Sequence, residues 1–154
     1  MFDDLSDLYQ EIILDHGKNP RNKRLVENST HQSYGNNPMC GDKLALFLRV
    51  NGQGVVEDVA FQGEGCAISQ ASASLLTEVL VGKTKAQAMT LFHAFHRLST
   101  GAEIGTIPAN LQDDFDRLEV LGGVRAFPMR VKCATLAWHT LDSALKREEK
   151  ATTE

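Results

Sequence analysis

The sequence predicts an α+β fold, and three observations predict it. Period-two alternation runs through Leu44, Leu46, Leu48 and Val50, interleaved with Lys43, Ala45, Phe47 and Arg49. Asn51-Gly52-Gln53-Gly54 then reads as a hairpin turn, with Val55 to Phe61 returning as a second strand. Before and after this hairpin, apolar residues recur at helical spacing.

Each element has its own signal. Leu5, Leu8, Tyr9, Ile12, Ile13 and His16 set out an amphipathic helix that closes at Gly17, with Asp3, Asp4 and Ser6 as acceptors at its start. Lys18-Asn19-Pro20-Arg21-Asn22 is a stop and turn. Residues 23–36 are polar, with weak strand character within 24–35. After the hairpin, Gln62-Gly63-Glu64-Gly65-Cys66 permits a sharp change of direction. Ile68, Ala71, Ser72, Leu75, Leu76 and Val79 then begin a helix that stops at Gly82, and its many small residues allow close packing on the sheet. Thr84 caps the next helix, whose buried stripe is Ala88, Leu91, Phe92, Phe95 and Leu98. Gly101 to Pro108 is a loop, Asn110 to Leu118 a short helix, and Leu121-Gly122-Gly123-Val124 a turn. The last helix starts near Pro128 and carries Cys133, Leu136, Ala137, Leu141, Ala144 and Leu145 at helical spacing. Lys146 and Arg147 suit its C-terminal dipole. From Glu148 the chain is polar and reads as a frayed tail. No repeat, low-complexity run or linker interrupts, so residues 1–154 read as a single domain with a polar tail at 148–154.

Composition narrows the function. The chain has 154 residues, 42% hydrophobic and 23% charged, as in soluble globular proteins. Sixteen basic against twenty acidic residues give a net charge of −4, so the basic footprint of a nucleic-acid binder is absent. No apolar run approaches the roughly 20 residues of a membrane span. The acidic opening Met1-Phe2-Asp3-Asp4 is unlike a signal or transit peptide. The expectation is a cytoplasmic protein. In that reducing compartment three cysteines, an odd number, are not a disulfide framework. They are apolar core residues, metal ligands or nucleophiles.

Each cysteine falls at a junction. Asn37-Pro38-Met39-Cys40-Gly41-Asp42 packs a thiol and a carboxylate into the loop entering the hairpin. Pro38 drives Asn37 towards an extended shape, and Gly41 lets Cys40 and Asp42 face one point. Cys66 lies where the hairpin ends and a helix begins, beside backbone N–H groups that favour a thiolate. The entry and exit of a hairpin share one end, which brings Cys40 and Cys66 together. Cys133, near the start of the last helix, joins them if that helix crosses the same end. Three thiolates and one carboxylate make four ligands, the tetrahedral number of zinc, and soft sulfur suits zinc or iron. Yet a cysteine on an apolar helical face, as Cys133 is, also fits a plain core residue, and spacing leaves both readings open. His93 and His96, at i and i+3, fit either a metal pair or an exposed surface pair. His16, His31 and His139 have no partner at ligand spacing. Ser69, Ser72 and Ser74 read as packing residues. No nucleophile elbow or nucleotide loop occurs.

These residues resemble the NifU/IscU-type iron–sulfur cluster assembly family. The likeness is carried by Asn37-Pro38-x-Cys40-Gly41-Asp42, by Gly63-x-Gly65-Cys66-Ala67-Ile68-Ser69-x-Ala71-Ser72-x-Ser74 and by Arg130-x-Lys132-Cys133-Ala134-x-Leu136-x-Trp138. It is extended by Leu8-Tyr9-x-x-Ile12-Ile13-Leu14-Asp15-His16-x-Lys18-Asn19-Pro20-Arg21, and covers nearly the whole chain. Lys132 stands where IscU-type scaffolds carry histidine, and the segment between the second and third cysteines is longer. Both departures, with Gly123-Val124-Arg125-x-Phe127-Pro128 leading to the third cysteine, resemble the zinc-binding SufU branch.

The resemblance implies a SufE/NifU-like fold, a small three-stranded antiparallel sheet packed against about five helices. It implies zinc held by Cys40, Asp42, Cys66 and Cys133, or a transient [2Fe–2S] cluster on the same ligands. It implies a sulfurtransferase that takes persulfide sulfur from the pyridoxal-phosphate cysteine desulfurase SufS, stimulates its turnover and serves downstream SUF scaffold proteins. Cys40 is the expected acceptor, on a loop hinged at Gly41. It would leave the metal to react, with a partner ligand taking its place. Arg125, Arg130 and Lys132 are expected to put positive charge near the site. A scaffold for cluster assembly is the alternative, and a metal-stabilised binding module without sulfur chemistry a third. A zinc hydrolase would need an open coordination position and a positioned base, and no His-Glu-x-x-His signature is present.

Overall fold

The chain opens with helix α1 (Phe2–Lys18) and enters a sheet at β1 (His31–Asn37), β2 (Asp42–Val50) and β3 (Val56–Glu64), which pair antiparallel in that order. This is a computed structural model. It describes residues 2–147 and 150–152, with side chains from Tyr9 to Arg147.

The expected hairpin is β2–β3. Leu44, Leu46 and Leu48 are buried on one face while Lys43 points outward. The register sets Leu46 opposite Phe61 and Leu48 opposite Val59, so buried apolar side chains meet across the pair. Asn51 closes the turn, its Oδ1 accepting the N–H groups of Gln53 and Val55 at 2.9 and 3.1 Å.

β1 carries the weakest sequence signal because its inward positions are His31, Ser33, Gly35 and Asn37, none of them large and apolar. Gly35 is inward because a helix needs the space. A Cβ there would run into Thr140 Oγ1 and come within 3.0 Å of Leu136 Cδ1. Both belong to α5 (Pro128–Leu145), which lies across β1 and β2.

A fourth short strand, β4 (Lys150–Thr152), runs parallel to β1 on the edge away from β2 and gives the order β3-β2-β1-β4. This corrects the frayed tail expected from Glu148: Lys150–Thr152 pair with Tyr34, Gly35 and Asn36 and satisfy an otherwise open edge. The remaining tail residues lie outside the described ones.

Between the hairpin and α5 come α2 (Ala67–Leu80), α3 (Lys85–Thr100) and α4 (Gln112–Leu118). Cys66 is the N-cap of α2. Thr84 and Gln87 form a reciprocal capping box at α3, and Gly101, at φ 80°, ends it. The turn expected at 121–124 is instead part of a 3₁₀ helix spanning Glu119–Ala126, which winds so as to bury Val120, Leu121 and Val124. The core sits between the sheet and α2, α3 and α5. Trp138 lies at its centre, its ring 5.2 Å from Phe95 and 6.5 Å from Phe92 between centroids.

The small residues of α2 pack against helices as well as the sheet. Ser72 donates to the Ala134 carbonyl of α5 at 2.5 Å. Ser74 Oγ accepts the Arg21 N–H at 2.9 Å and sits 2.7 Å from His16 Nδ1 in α1. The buried His16 ring turns its Nε2 towards Glu78, 3.9 Å away.

Two outcomes test this packing. Gly35→Ala is expected to cost about 1–3 kcal/mol by overpacking, and Gly35→Ala/Thr140→Ala to recover part of that loss in denaturant melts. Acid should also weaken the fold. Burial, with Arg21 adding, holds His16 below the ordinary histidine range, and burial does the same to His31 and His139. Depressed histidines leave stability complete above the unfolded value of about 6.5 and lose it as pH falls through their folded values. Melting temperature should therefore drop between about pH 7 and about pH 5, and His16→Gln should shrink the drop.

Candidate metal centre

The turn Pro38–Gly41 joins β1 to β2, and Asn37 and Asp42 face each other as the last pair of the ladder. Gly41 makes the reversal possible at φ 73°, with its N–H bonded to the Asn37 carbonyl at 2.9 Å. The turn presents Cys40, half-exposed, at the end of the sheet where β3 leads into α2. Here Asp42 is fully buried. Its Oδ1 accepts the Cys66 N–H at 3.0 Å, and its Oδ2 accepts Asn37 Nδ2 at 3.2 Å. Asn37 Nδ2 also reaches Cys133 Sγ at 3.6 Å, so one amide ties the β2 carboxylate to the α5 thiol.

The donor atoms of Cys40, Asp42 and Cys133 all lie within 4.8 Å of one another. Cys66 stands at the margin of this triad. Its Sγ accepts the Ser69 N–H at 3.5 Å as the cap of α2, and its charge is among the influences that raise the Cys133 thiol. The structure thus brings all four expected ligand residues to one end of the sheet, with three in mutual reach.

The chemistry of the donor set fits a metal ion. A buried carboxylate faces sulfur donors, and among the described residues no lysine or arginine pairs with it. Burial pushes the Cys133 thiol far above the ordinary thiol range, and hydrogen bonding with Cys40, Asp42 and Cys66 adds to it. Without a cation Cys133 is a protonated thiol donating to the Met129 carbonyl at 3.7 Å. Asn37 Oδ1, also buried, has no hydrogen-bond partner. A tetrahedral zinc with sulfur at about 2.3 Å holds its donors roughly 3.8 Å apart, so the triad is near that spacing.

The cationic residues separate. Arg130 lies beside the thiols: Cys133 first, then Cys66 and Cys40, hold its guanidinium more firmly protonated than usual. Arg125 is exposed and lines a neighbouring groove. Lys132 is half-buried on α5, with no polar partner among the described residues. Two supporting residues went unread in the sequence as parts of the site. Asn37 bridges Asp42 and Cys133, and Gly65 is held small because a Cβ there would strike the Asp42 carboxylate and lie 2.6 Å from Ser69 Oγ. Both sit inside motifs already visible, so the signal existed while the role was tertiary. His139 meets His96 across helices, ring centroids 5.9 Å apart, a pairing that no local spacing encodes.

Fold and centre together define an α+β domain with a candidate cysteine–carboxylate metal site gathered from a β-turn, a strand start and two helices. The chain belongs to the family of NifU-like N-terminal domains, whose model matches residues 8–153. It is 41% identical over 145 residues to the zinc-dependent sulfurtransferase SufU of Bacillus subtilis, covering 94% of each chain. It is 38% identical over 147 residues to the iron–sulfur cluster assembly scaffold protein IscU of Streptococcus pyogenes, covering 96% of this chain and 88% of that one. Among solved structures, the SufU protein of Fervidobacterium islandicum, described as a scaffold for the SUF system, superposes with a TM-score of 0.79. It is 34% identical, with 88% of this chain and 94% of that chain covered.

Gly65→Ala tests the cradle around Asp42. The added methyl should displace the carboxylate and weaken zinc retention against a competing chelator by roughly 10- to 100-fold, while circular dichroism shows the fold kept.

Proposed function

We propose that this chain is a zinc-dependent sulfurtransferase of SUF iron–sulfur cluster biogenesis. It accepts persulfide sulfur from the cysteine desulfurase SufS on Cys40, stimulates that enzyme's turnover in the cytoplasm and passes sulfur on towards SUF scaffold proteins. Residues 1–154 act as one domain in this reading. The observation that carries it is the asymmetry among the thiols. Cys133 is buried in α5, and Cys66, half-exposed like Cys40, is tied down as the cap of α2, whereas Cys40 sits in a four-residue turn beside Gly41. That no described helix is long and apolar enough to cross a membrane agrees with it. The identity to a zinc-dependent sulfurtransferase supports it.

Cys40, Asp42, Cys66 and Cys133 would hold the zinc. When bound, the ion keeps its sulfur ligands deprotonated at neutral pH and shields them from oxidation. Asp42 and Cys133 stay fixed by Asn37 and by the Cys66 N–H, while the Pro38–Gly41 turn lets Cys40 swing out alone. The freed Cys40 thiolate attacks the terminal sulfur of the partner's persulfide. A new S–S bond forms on Cys40, the partner's S–S bond breaks, and its electron pair leaves on the partner's thiolate with no net redox change. Arg130 sets a permanent positive charge beside the sulfurs, which favours the anionic nucleophile.

A second reading uses the same donors as a [2Fe–2S] assembly scaffold, and the 38% identity to a protein named as such favours it. Lys132 in place of the scaffold histidine argues for sulfur transfer. The two separate on Cys40→Ser. Sulfur acceptance and desulfurase stimulation should fall by roughly 100-fold or more, as for loss of a covalent nucleophile. Full stimulation by Cys40→Ser, read as alanine release by the desulfurase, would rule the proposal out.

A further inference from the structure

A groove of 590 Å³ opens next to the thiol centre. Tyr9 and Ile13 of α1, Val124 of the 3₁₀ segment and Phe127 wall it with apolar surface, and Arg125 and Arg130 also line it. Two arginines in an apolar groove stand out in a chain of net charge −4. Arg130 belongs to both features, since it lines the groove and stands three residues before Cys133 on α5. The groove and the centre therefore share a wall.

The apolar surface also continues beyond the groove. Met39, next to Cys40, is 60% exposed, and Phe127 and Met129 at the start of α5 are 63% and 55% exposed. Large apolar side chains held in water around a reactive thiol mark a contact surface, and methionine adapts readily to a partner.

We infer that this groove is the docking site for a surface segment of the sulfur-donating desulfurase, an apolar anchor side chain next to an aspartate or glutamate. The inference rests on the sulfur-transfer reading above. The apolar walls call for the anchor and the two arginines for the carboxylate. Continuity through Arg130 puts the docked segment beside Cys40. A small amphiphile would fill the groove yet leave Met39 and Met129 in water, whereas a protein surface covers them. A second copy of this chain docking groove to groove would set arginine against arginine.

Gly123 allows a clean test. It lines the groove, is exposed, and a Cβ added there meets nothing within 4 Å. Gly123→Trp therefore starts a bulky side chain at the groove with no clash at Cβ, and Phe127→Ala removes an exposed wall. Each variant is compared with wild type for zinc per chain, for Cys40 persulfidation by inorganic polysulfide, and for persulfide uptake from persulfidated desulfurase. Gly123→Trp should keep zinc and the polysulfide reaction, while uptake from the desulfurase falls roughly tenfold or more through weaker binding. Phe127→Ala should weaken uptake in the same direction. If both variants take sulfur from the desulfurase within about twofold of a fully active wild type, the docking site is wrong and the sulfur-transfer reading stands. Gly123→Trp that blocks only an apolar anion such as anilinonaphthalene sulfonate, or only self-association, likewise overturns it. A wild type that takes sulfur from polysulfide but none from the desulfurase overturns the function itself, and the docking with it.

Discussion

The buried Asp42 carboxylate is the constraint on which the rest depends. It opens β2, accepts an N–H from the start of α2, and accepts an amide from the end of β1 that also reaches Cys133 in α5. Four elements thus converge on one charged group removed from water. Among the described residues no lysine or arginine pairs with it. Burying an uncompensated carboxylate is costly, so the arrangement is stable when a cation shares the site. The surrounding thiols make that cation a soft-ligand metal.

The packing exists to bring these groups together. Gly35 lets α5 press onto β1, which carries Cys133 towards the sheet end. Gly65 lets the start of α2 close over Asp42. Ser72 anchors α2 to α5 at Ala134, the residue after Cys133, and Trp138 stacks on Phe92 and Phe95 of α3 to hold α5 in place. Only the Cys40 turn escapes this framework. The proposed sulfur transfer asks for such an arrangement, because in it the reacting sulfur moves while the other donors hold.

Much of this was legible in the sequence. The β2–β3 hairpin announced itself by alternation and by Asn51, the α3 cap by Thr84, and the start of α5 by Pro128. That Cys40 and Cys66 lie at the same end of the hairpin followed from its geometry alone. β1 was faint because its inward residues are polar or glycine, chosen to meet α5 and Asp42 rather than to fill a core. The short strand at Lys150–Thr152 was missed because pairing with the β1 edge, not local composition, creates it. The Glu119–Ala126 segment reads as a turn through Gly122 and Gly123, yet Val120, Leu121 and Val124 wind it inward. The bridging role of Asn37 and the offset of Cys66 to the cap of α2 are tertiary facts that no spacing rule supplies.

The central claim is a division of labour, with Asp42, Cys66 and Cys133 holding the metal while Cys40 carries the sulfur. Peptide mapping by mass spectrometry after a single turnover with persulfidated desulfurase tests it most directly, with zinc measured on the same sample. The account predicts the extra sulfur on Cys40 alone and zinc retained by the chain. Sulfur on Cys66 or Cys133, or transfer accompanied by stoichiometric loss of zinc, would contradict it.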